Sequence, residues 1–282
     1  MNRVYVGSEL SIGKMYDLYR DKCAAENCSA MSSDYYRRTL CEEYNIGFAA
    51  PKSDTCKTCD KFENDLKSAE PQGVEKLRSE YNQHKSYASK AYDLLRSDSE
   101  LEKSDPSSHH VIAFDLQKAL PTPKLSCGPA FYIRKLWTYN VAVHNCASGG
   151  AKMMMWPETV AGRGADEIAS CILKYFDGLV MTTKTLIAYS DNCGGQNKNG
   201  TIVGLWMRLI SEGKFDEIIH RFPISGHTIL PCDRDFADIE RVVRKIQHVY
   251  TPAVYMDIVR KARRHNQFEV HEMTANDITD RS

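Results

Sequence analysis

Long hydrophobic runs are missing from this 282-residue chain, which excludes the ~20-residue apolar segment that a membrane-spanning helix needs. An apolar leader is missing too. Met1-Asn2-Arg3-Val4-Tyr5 has no hydrophobic core of the secretory kind, so a disulfide-built extracellular protein is not expected. Net charge is absent, with 37 basic and 37 acidic residues, and overall charge therefore gives no argument for a polyanionic partner. No glycine-lysine-serine loop of the nucleotide-binding kind is present, which argues against ATP use. Internal repeats and low-complexity tracts are lacking as well. The remainder, 42% apolar and 26% charged, is that of a soluble globular chain with room for one large domain or two. Its ten cysteines then read as reduced thiols or metal ligands.

Two regions differ in pattern. Residues 1–105 read as a helical module. Met15, Leu18 and Tyr19 recur at helical spacing, and Ser33-Asp34 could cap a second helix through Tyr35, Tyr36 and Leu40. Gly47-Phe48-Ala49-Ala50-Pro51 breaks that pattern. Cys56-Lys57-Thr58-Cys59 follows, and then a long polar helix from about Val74 to Leu95. The stretch from Ser97 to Ser108 is polar and contains Pro106, so it is the expected linker.

Residues 106–282 read as an α/β domain with a C-terminal helical extension. Val111 to Leu116 is a predicted strand, Phe131 to His144 a longer one, and Cys146-Ala147-Ser148-Gly149-Gly150 a hairpin turn into Lys152-Met153-Met154-Met155-Trp156. Ile168, Ile172, Tyr175, Phe176 and Leu179 make an amphipathic helix with Asp166 and Glu167 in its first turn and Gly178 near its end. A strand from Leu186 to Tyr189, a helix carrying Ile202, Leu205, Trp206, Leu209 and Ile210, a strand from Glu217 to Phe222 and a helix carrying Phe236, Ile239, Val243 and Ile246 complete the order β-β-β-α-β-α-β-α. That order predicts a mixed sheet flanked by helices.

Carboxylates at strand ends mark the candidate site. Asp115 interrupts the apolar run Val111-Ile112-Ala113-Phe114, and Asp191 ends the run Leu186 to Tyr189. Buried carboxylates are rare unless paired or metal-bound, and ligands of open α/β sheets sit at the carboxyl ends of strands. A third acid should come from the last helix. Asp233 and Glu240, seven apart, share one helix face, with Asp235 and Asp238 as competitors. Acids that converge need a cation, and Mg²⁺ or Mn²⁺ in a pair would clamp the attacking and leaving oxygens of a phosphodiester. Each acid also has a structural reading: Asp191 as a turn starter, Asp233 as a helix cap, Glu240 as the i,i+4 partner of Arg244.

Around them, Gly194 and Gly195 would allow close backbone approach. Gln196, Asn197, Lys198 and Asn199 sit where a helix begins and would bind substrate phosphate, with Lys198 as a point charge. His227 would orient a carboxylate or a water. Cys56 and Cys59 are half of a zinc site whose other half could be Cys23 with Cys28, Cys41, or His84. The run Arg260-Lys261-Ala262-Arg263-Arg264-His265 could contact phosphate or act as a nuclear-import signal, but a solvated helix end is the better reading.

Phe114 to Pro121, Arg134 to Asn140, Ser190 to Asn199, Ser225-Gly226-His227, Cys232-Asp233-Arg234-Asp235-Phe236 and Ile239-Glu240 resemble a large, uncharacterised family of transposon-derived proteins scattered through animal genomes. The strand order and acid placement are similar to the ribonuclease H-like fold of D-D-E transposases and integrases. The resemblance runs from about Tyr35 to Tyr255. It implies metal-dependent cleavage and strand transfer on DNA, with Asp115, Asp191 and Glu240 as metal ligands and Asp233 second in line for the third place. Spacing alone leaves that choice open. A nuclear location and a homo-oligomer go with such chemistry. The rival expectations are a domesticated module that binds nucleic acid or protein without turnover, and a ribonuclease. The chain opens close to its first helical pattern, and transposases often carry a sequence-reading domain upstream.

Overall fold

The computed structural model describes residues 3–7, 10–48, 55–177, 179 and 183–279, with the backbone alone for Ala130 and Phe131. The expected break at Ala49-Ala50-Pro51 and the helix-ending Gly178 lie outside the described residues. Two compact units divide between Thr55 and Cys56.

In the first unit, β1 (Val4–Val6) and β2 (Ile46–Phe48) pair in parallel. Between them run α1 (Ile12–Ala25) and α2 (Ser33–Glu43). Ser11 and Ser32 cap these helices by accepting the N–H of Lys14 and Tyr35, so the second cap falls one residue before Ser33. Tyr16, Tyr19 and Tyr36 pack the helix pair together, with Tyr19 and Tyr36 stacked at 5.1 Å between ring centroids.

The second unit begins with α3 (Lys57–Ser68) and α4 (Pro71–Ser104). The expected linker from Ser97 to Ser108 is mostly the last two turns of α4, and those turns are docked. Buried Asp98 accepts a hydrogen bond from the Tyr189 hydroxyl and pairs with Arg221. Buried Glu102 accepts the N–H of Val111 at 2.8 Å and bonds the His110 ring at 2.9 Å. Polar composition there serves burial against a strand's backbone, which is why it resembles a linker in sequence. The unit boundary accordingly falls some fifty residues before the expected 105.

The remaining elements are β3 (His109–Leu116), β4 (Leu120–Thr122), α5 (Gly128–Tyr132), β5 (Leu136–Asn145), β6 (Ala151–Pro157), α6 (Ala165–Asp177), β7 (Thr185–Tyr189), α7 (Gly200–Ser211), β8 (Glu217–Arg221), α8 (Pro231–Lys245), α9 (Pro252–Arg260) and β9 (Glu269–Glu272). The strand expected from Phe131 starts instead at Leu136; Pro129 opens the short α5 ahead of it. The protein is α/β with a mixed sheet in the order β8-β7-β3-β5-β6-β9. The β3-β5-β6 part is antiparallel, and β7 and β8 join β3 in parallel. Strand β9, unmarked in sequence because it is short and mostly polar (Glu-Val-His-Glu), extends the far edge in parallel with β6.

Both faces of the sheet are covered, as its near-continuous apolar strands require. Alternation sends Ile112, Phe114, Leu186 and Ala188 to the face under α6 and α7. It sends Val111, Ala113, Ile187 and Tyr189 to the face under α8 and α9. Among the described residues no helix is long and apolar enough to cross a membrane.

Candidate functional site

The same alternation positions two acids. β3 and β7 pair in register from His109↔Thr185 to Ala113↔Tyr189. Asp115 stands on β3 two residues beyond the last pair, and Asp191 follows the end of the neighbouring β7 by two residues. Asp115 shares parity with Ala113, which lies on the face that α8 covers. On that helix, Cys232 sits against the strand, its thiol 3.2 Å from the Ala113 carbonyl. Asp233 follows it in the first turn of α8.

Electrostatics tie the three together. Burial pushes the Asp115 carboxyl up to about 7, and the charges of Asp191 and Asp233 add to the rise. Asp233 is raised by burial and by Asp191 and Asp235, against the lowering effect of the Leu230 N–H. Each acid commits one oxygen to the backbone. Asp115 Oδ1 accepts its neighbour Leu116 N–H at 2.8 Å, Asp233 Oδ2 accepts Leu230 N–H at 2.7 Å, and Asp191 Oδ1 accepts Cys193 N–H at 2.9 Å and Asn197 Nδ2 at 2.7 Å. Among the described residues the second oxygen of each has no protein donor, and none of the three forms an ion pair. Three mutually repelling carboxylates with free oxygens suit a divalent cation.

Glu240 does not join them. Cys232, Asp235, Phe236 and Ile239 form the buried row of α8, and Glu240 is a residue further round and roughly 10 Å along the axis from Asp233. Its carboxylate pairs with Arg244 at 3.0 Å and is 38% exposed. The i,i+4 reading is the one the geometry favours, and of the two acids it is Asp233 whose charge acts on Asp115. Asp235 is fully buried but committed elsewhere, to His144 at 2.7 Å and to Arg263. Arg263 also pairs with Asp238 and lies over the Phe268 ring. The basic run is thus partly a structural clamp.

The loop after Asp191 departs from its expected role. The N–H groups of Gln196, Asn197 and Lys198 all point to the Cys193 carbonyl, at 3.2, 2.8 and 3.0 Å, so they are not free for phosphate. Buried Asn197 holds Asp191. Asn199 caps α7 by accepting the Ile202 N–H at 3.1 Å. Lys198 reaches Asn192 and lies over the Phe222 ring. A Cβ on Gly194 or Gly195 would meet nothing within 4 Å, so no close approach demands glycine at either position.

His227 lies at a different centre. Cys56, Cys59, His84 and His227 each offer a ligand atom, all within 4.8 Å of one another, and they could hold a metal ion. Cys56 Sγ is 3.3 Å from His84 Nε2, Cys59 Sγ is 3.2 Å from His227 Nε2, and the two Nε2 atoms are 3.2 Å apart. Cys56 caps α3, Cys59 is in its first turn, and His84 comes from the middle of α4. Burial and His84 push His227 below its ordinary value, and burial and the Cys56 thiol push Cys59 above. A bound cation would bring the Cys59 thiol down and hold His227 in its neutral form. Cys23, Cys28 and Cys41 belong to the first unit and not to this group. His84 was one of several candidates by sequence. His227, expected to orient a carboxylate or a water, stands instead beside the cysteines, and it was not among the zinc candidates because 168 residues separate it from Cys59 and no spacing rule spans that gap.

A cavity of about 300 Å³ between the two centres is lined by Asp191, Asn192, Cys193, Ser225, Gly226 and Thr228. A larger one, about 630 Å³, opens at the first turns of α8 and is lined there by Arg234, with Arg96, Lys103 and Arg263 around it.

A family model described as a domain of unknown function, DUF7869, matches residues 145–280. The matched span contains Asp191, His227 and Asp233; Asp115, Cys56, Cys59 and His84 precede it. No curated protein matches the chain.

The acids predict a pH dependence. A carboxyl at about 7 in the folded state and 3.8 otherwise binds its proton more tightly when folded. Stability is therefore greatest below pH 4 for this group and falls as pH rises to about 7, by roughly 4 kcal/mol in the limit. Urea denaturation in metal-free buffer between pH 4.5 and 7.5 should show that decline superimposed on other groups, and millimolar Mg²⁺ should reverse it at pH 7.5. A Mg²⁺-independent profile would remove the cation site.

Proposed function

We propose that the protein carries out metal-dependent phosphodiester chemistry on nucleic acid, DNA first, on a ribonuclease H-like sheet of transposase descent. The observation that carries this reading is the placement of Asp115 on β3 and Asp191 just past the end of the neighbouring β7, with Asp233 in the first turn of the helix packed on β3 and the charges of Asp191 and Asp233 both felt at Asp115. The sheet order supports it: three antiparallel strands, with two parallel strands added beside the first, and acids on the first strand and just past the end of its parallel neighbour. The donor set fits hard divalent ions such as Mg²⁺ or Mn²⁺ at the acids and zinc at the two sulfurs and two nitrogens.

When bound, paired ions lower the pKa of water and stabilise charge on the attacking and leaving oxygens. The chain's own residues do the placing. Asn197 and the Cys193 N–H fix Asp191; the Leu230 N–H fixes Asp233; β3 fixes Asp115. Water then attacks phosphorus, the bond to the 3′-oxygen breaks, and that oxygen leaves with a proton. A 3′-hydroxyl in place of water gives strand transfer. Arg96 and Arg234, without acidic partners among the described residues, line the cavity at the same end of α8 and suit a polyanion.

Incubation with single- and double-stranded DNA and with RNA, in Mg²⁺ and in Mn²⁺, tests the reading. DNA cleavage supports it; RNA cleavage alone selects a ribonuclease; tight binding without turnover selects the silent module. Glu240→Gln should retain activity within about twofold, as expected for an exposed helix pair worth a few tenths of a kcal/mol. Loss of activity in that variant would return Glu240 to the site.

A further inference from the structure

We infer that Cys56, Cys59, His84 and His227 form a structural zinc centre whose job is to pin the segment 222–230 as one wall of the acid cleft. The inference deepens the phosphodiester reading and rests on it for the cleft's role.

The donor geometry comes first. Zinc held by thiolate at about 2.3 Å and imidazole at 2.0–2.1 Å makes a tetrahedron with edges of roughly 3.3–3.8 Å. The three close contacts, at 3.2–3.3 Å, lie at or just under the short end of that range, and the whole quartet falls within 4.8 Å. Two sulfurs and two nitrogens select zinc over the hard cations suited to the carboxylates. Four protein ligands leave no open position, the mark of a structural site.

What the centre holds is the second step. Segment 222–230 joins β8 to α8, so it runs from the sheet edge beside Asp191 to the turn that carries Asp233. At its start, the Pro223 carbonyl accepts from Asn192, the residue next to Asp191. In its middle, Gly226 has a φ of +82°, and an added Cβ would lie 2.5 Å from the Cys56 Cα. The zinc loop and this segment therefore touch backbone to backbone, at a place only glycine fits. His227 supplies the fourth ligand. The Tyr92 hydroxyl, from the same helix as His84, donates to the His227 carbonyl at 2.8 Å and accepts the Ile229 N–H at 3.3 Å. At the end, Leu230 donates to Asp233. Ser225, Gly226 and Thr228 face the cavity opposite Asp191. His227 is thus a positioning residue: through it the zinc centre fixes the span that ties Asp191 to Asp233.

The test uses the full chain. Metal analysis of the purified protein should give about one zinc per chain, lost in His227→Ala and retained in His227→Cys, which keeps a thiolate ligand. Mn²⁺ binding, followed by the paramagnetic signal of free Mn²⁺, should be abolished by Asp191→Asn. It should weaken at least about tenfold when zinc is stripped from the wild-type chain, as for loss of outer-shell support, and recover when zinc is restored. Strip-and-restore on the wild type covers the case in which His227→Ala fails to fold. Hydrogen exchange across residues 223–230 should accelerate on stripping. No zinc in the wild-type chain, or zinc loss with Mn²⁺ affinity and exchange both unchanged, overturns the inference. Mn²⁺ binding indifferent to Asp191→Asn sinks the acid-cleft reading instead, and exchange across the segment then decides the zinc centre alone.

Discussion

Asp191→Asn is expected to reduce Mg²⁺- or Mn²⁺-dependent cleavage by on the order of 10³-fold or more, with folding intact. The expected loss is that of a metal-bound transition state, roughly 4 kcal/mol at 1.36 kcal/mol per decade. Shape is kept, since an asparagine oxygen can still accept from Cys193 N–H and Asn197. What goes is a charge, and with it the second cause of the raised Asp115 carboxyl. Stability in metal-free buffer should therefore hold or rise, and the fall in stability towards pH 7 should become shallower. Single-turnover cleavage beside urea denaturation reads both. A variant that keeps full activity would end the enzyme reading; one that simply unfolds would make Asp191 a structural acid.

The second large effect concerns Asp235, two residues from Asp233 and opposite in role. Its carboxylate is fully buried between His144 Nδ1 and the Arg263 guanidinium. Asp235→Ala leaves a cation and an imidazole facing a buried gap, and removing one partner of such a pair typically costs about 3–5 kcal/mol. Asp235→Asn keeps an acceptor and should cost less. Whatever fraction of either variant stays folded should still cleave, because Asp235 contributes structure and not metal binding. A loss below about 1 kcal/mol by urea denaturation would mean that solvent or a neighbouring acid replaces the carboxylate.

How much of this was legible in sequence depends on the range of the interaction. Apolar runs broken by Asp115 and Asp191 could be read directly, because strand alternation and strand-end chemistry are local. The order of the longer strands and helices from Val111 to Ile246 could be read for the same reason, but the short β4 and α5 between the first two long strands could not. The third acid could not. Asp233 and Glu240 satisfy the same heptad spacing, and what separates them is which end of α8 meets the sheet edge. The loop after Asp191 misled through its composition: Asn197 and Asn199 look like substrate ligands, yet they hold an acid and a helix end. The last turns of α4 misled in the same way. Asp98 and Glu102 are polar because they bind a tyrosine hydroxyl and strand backbone inside the protein, and burial of that kind has no local signature.

The proposed zinc centre would also set an order of assembly. Cys56, Cys59 and His84 lie within 29 residues on one helical hairpin, whereas His227 is 168 residues from Cys59. Closing the short loop costs little chain entropy, and closing the long one costs more; the strands that bring His227 near must also pair first. On the proposed centre, the hairpin's three ligands would be in place early, and His227 would complete the set only after β8 has joined the sheet. In contrast to small zinc modules, whose folding the ion drives outright, this chain would use its metal as a latch that closes on a sheet already built.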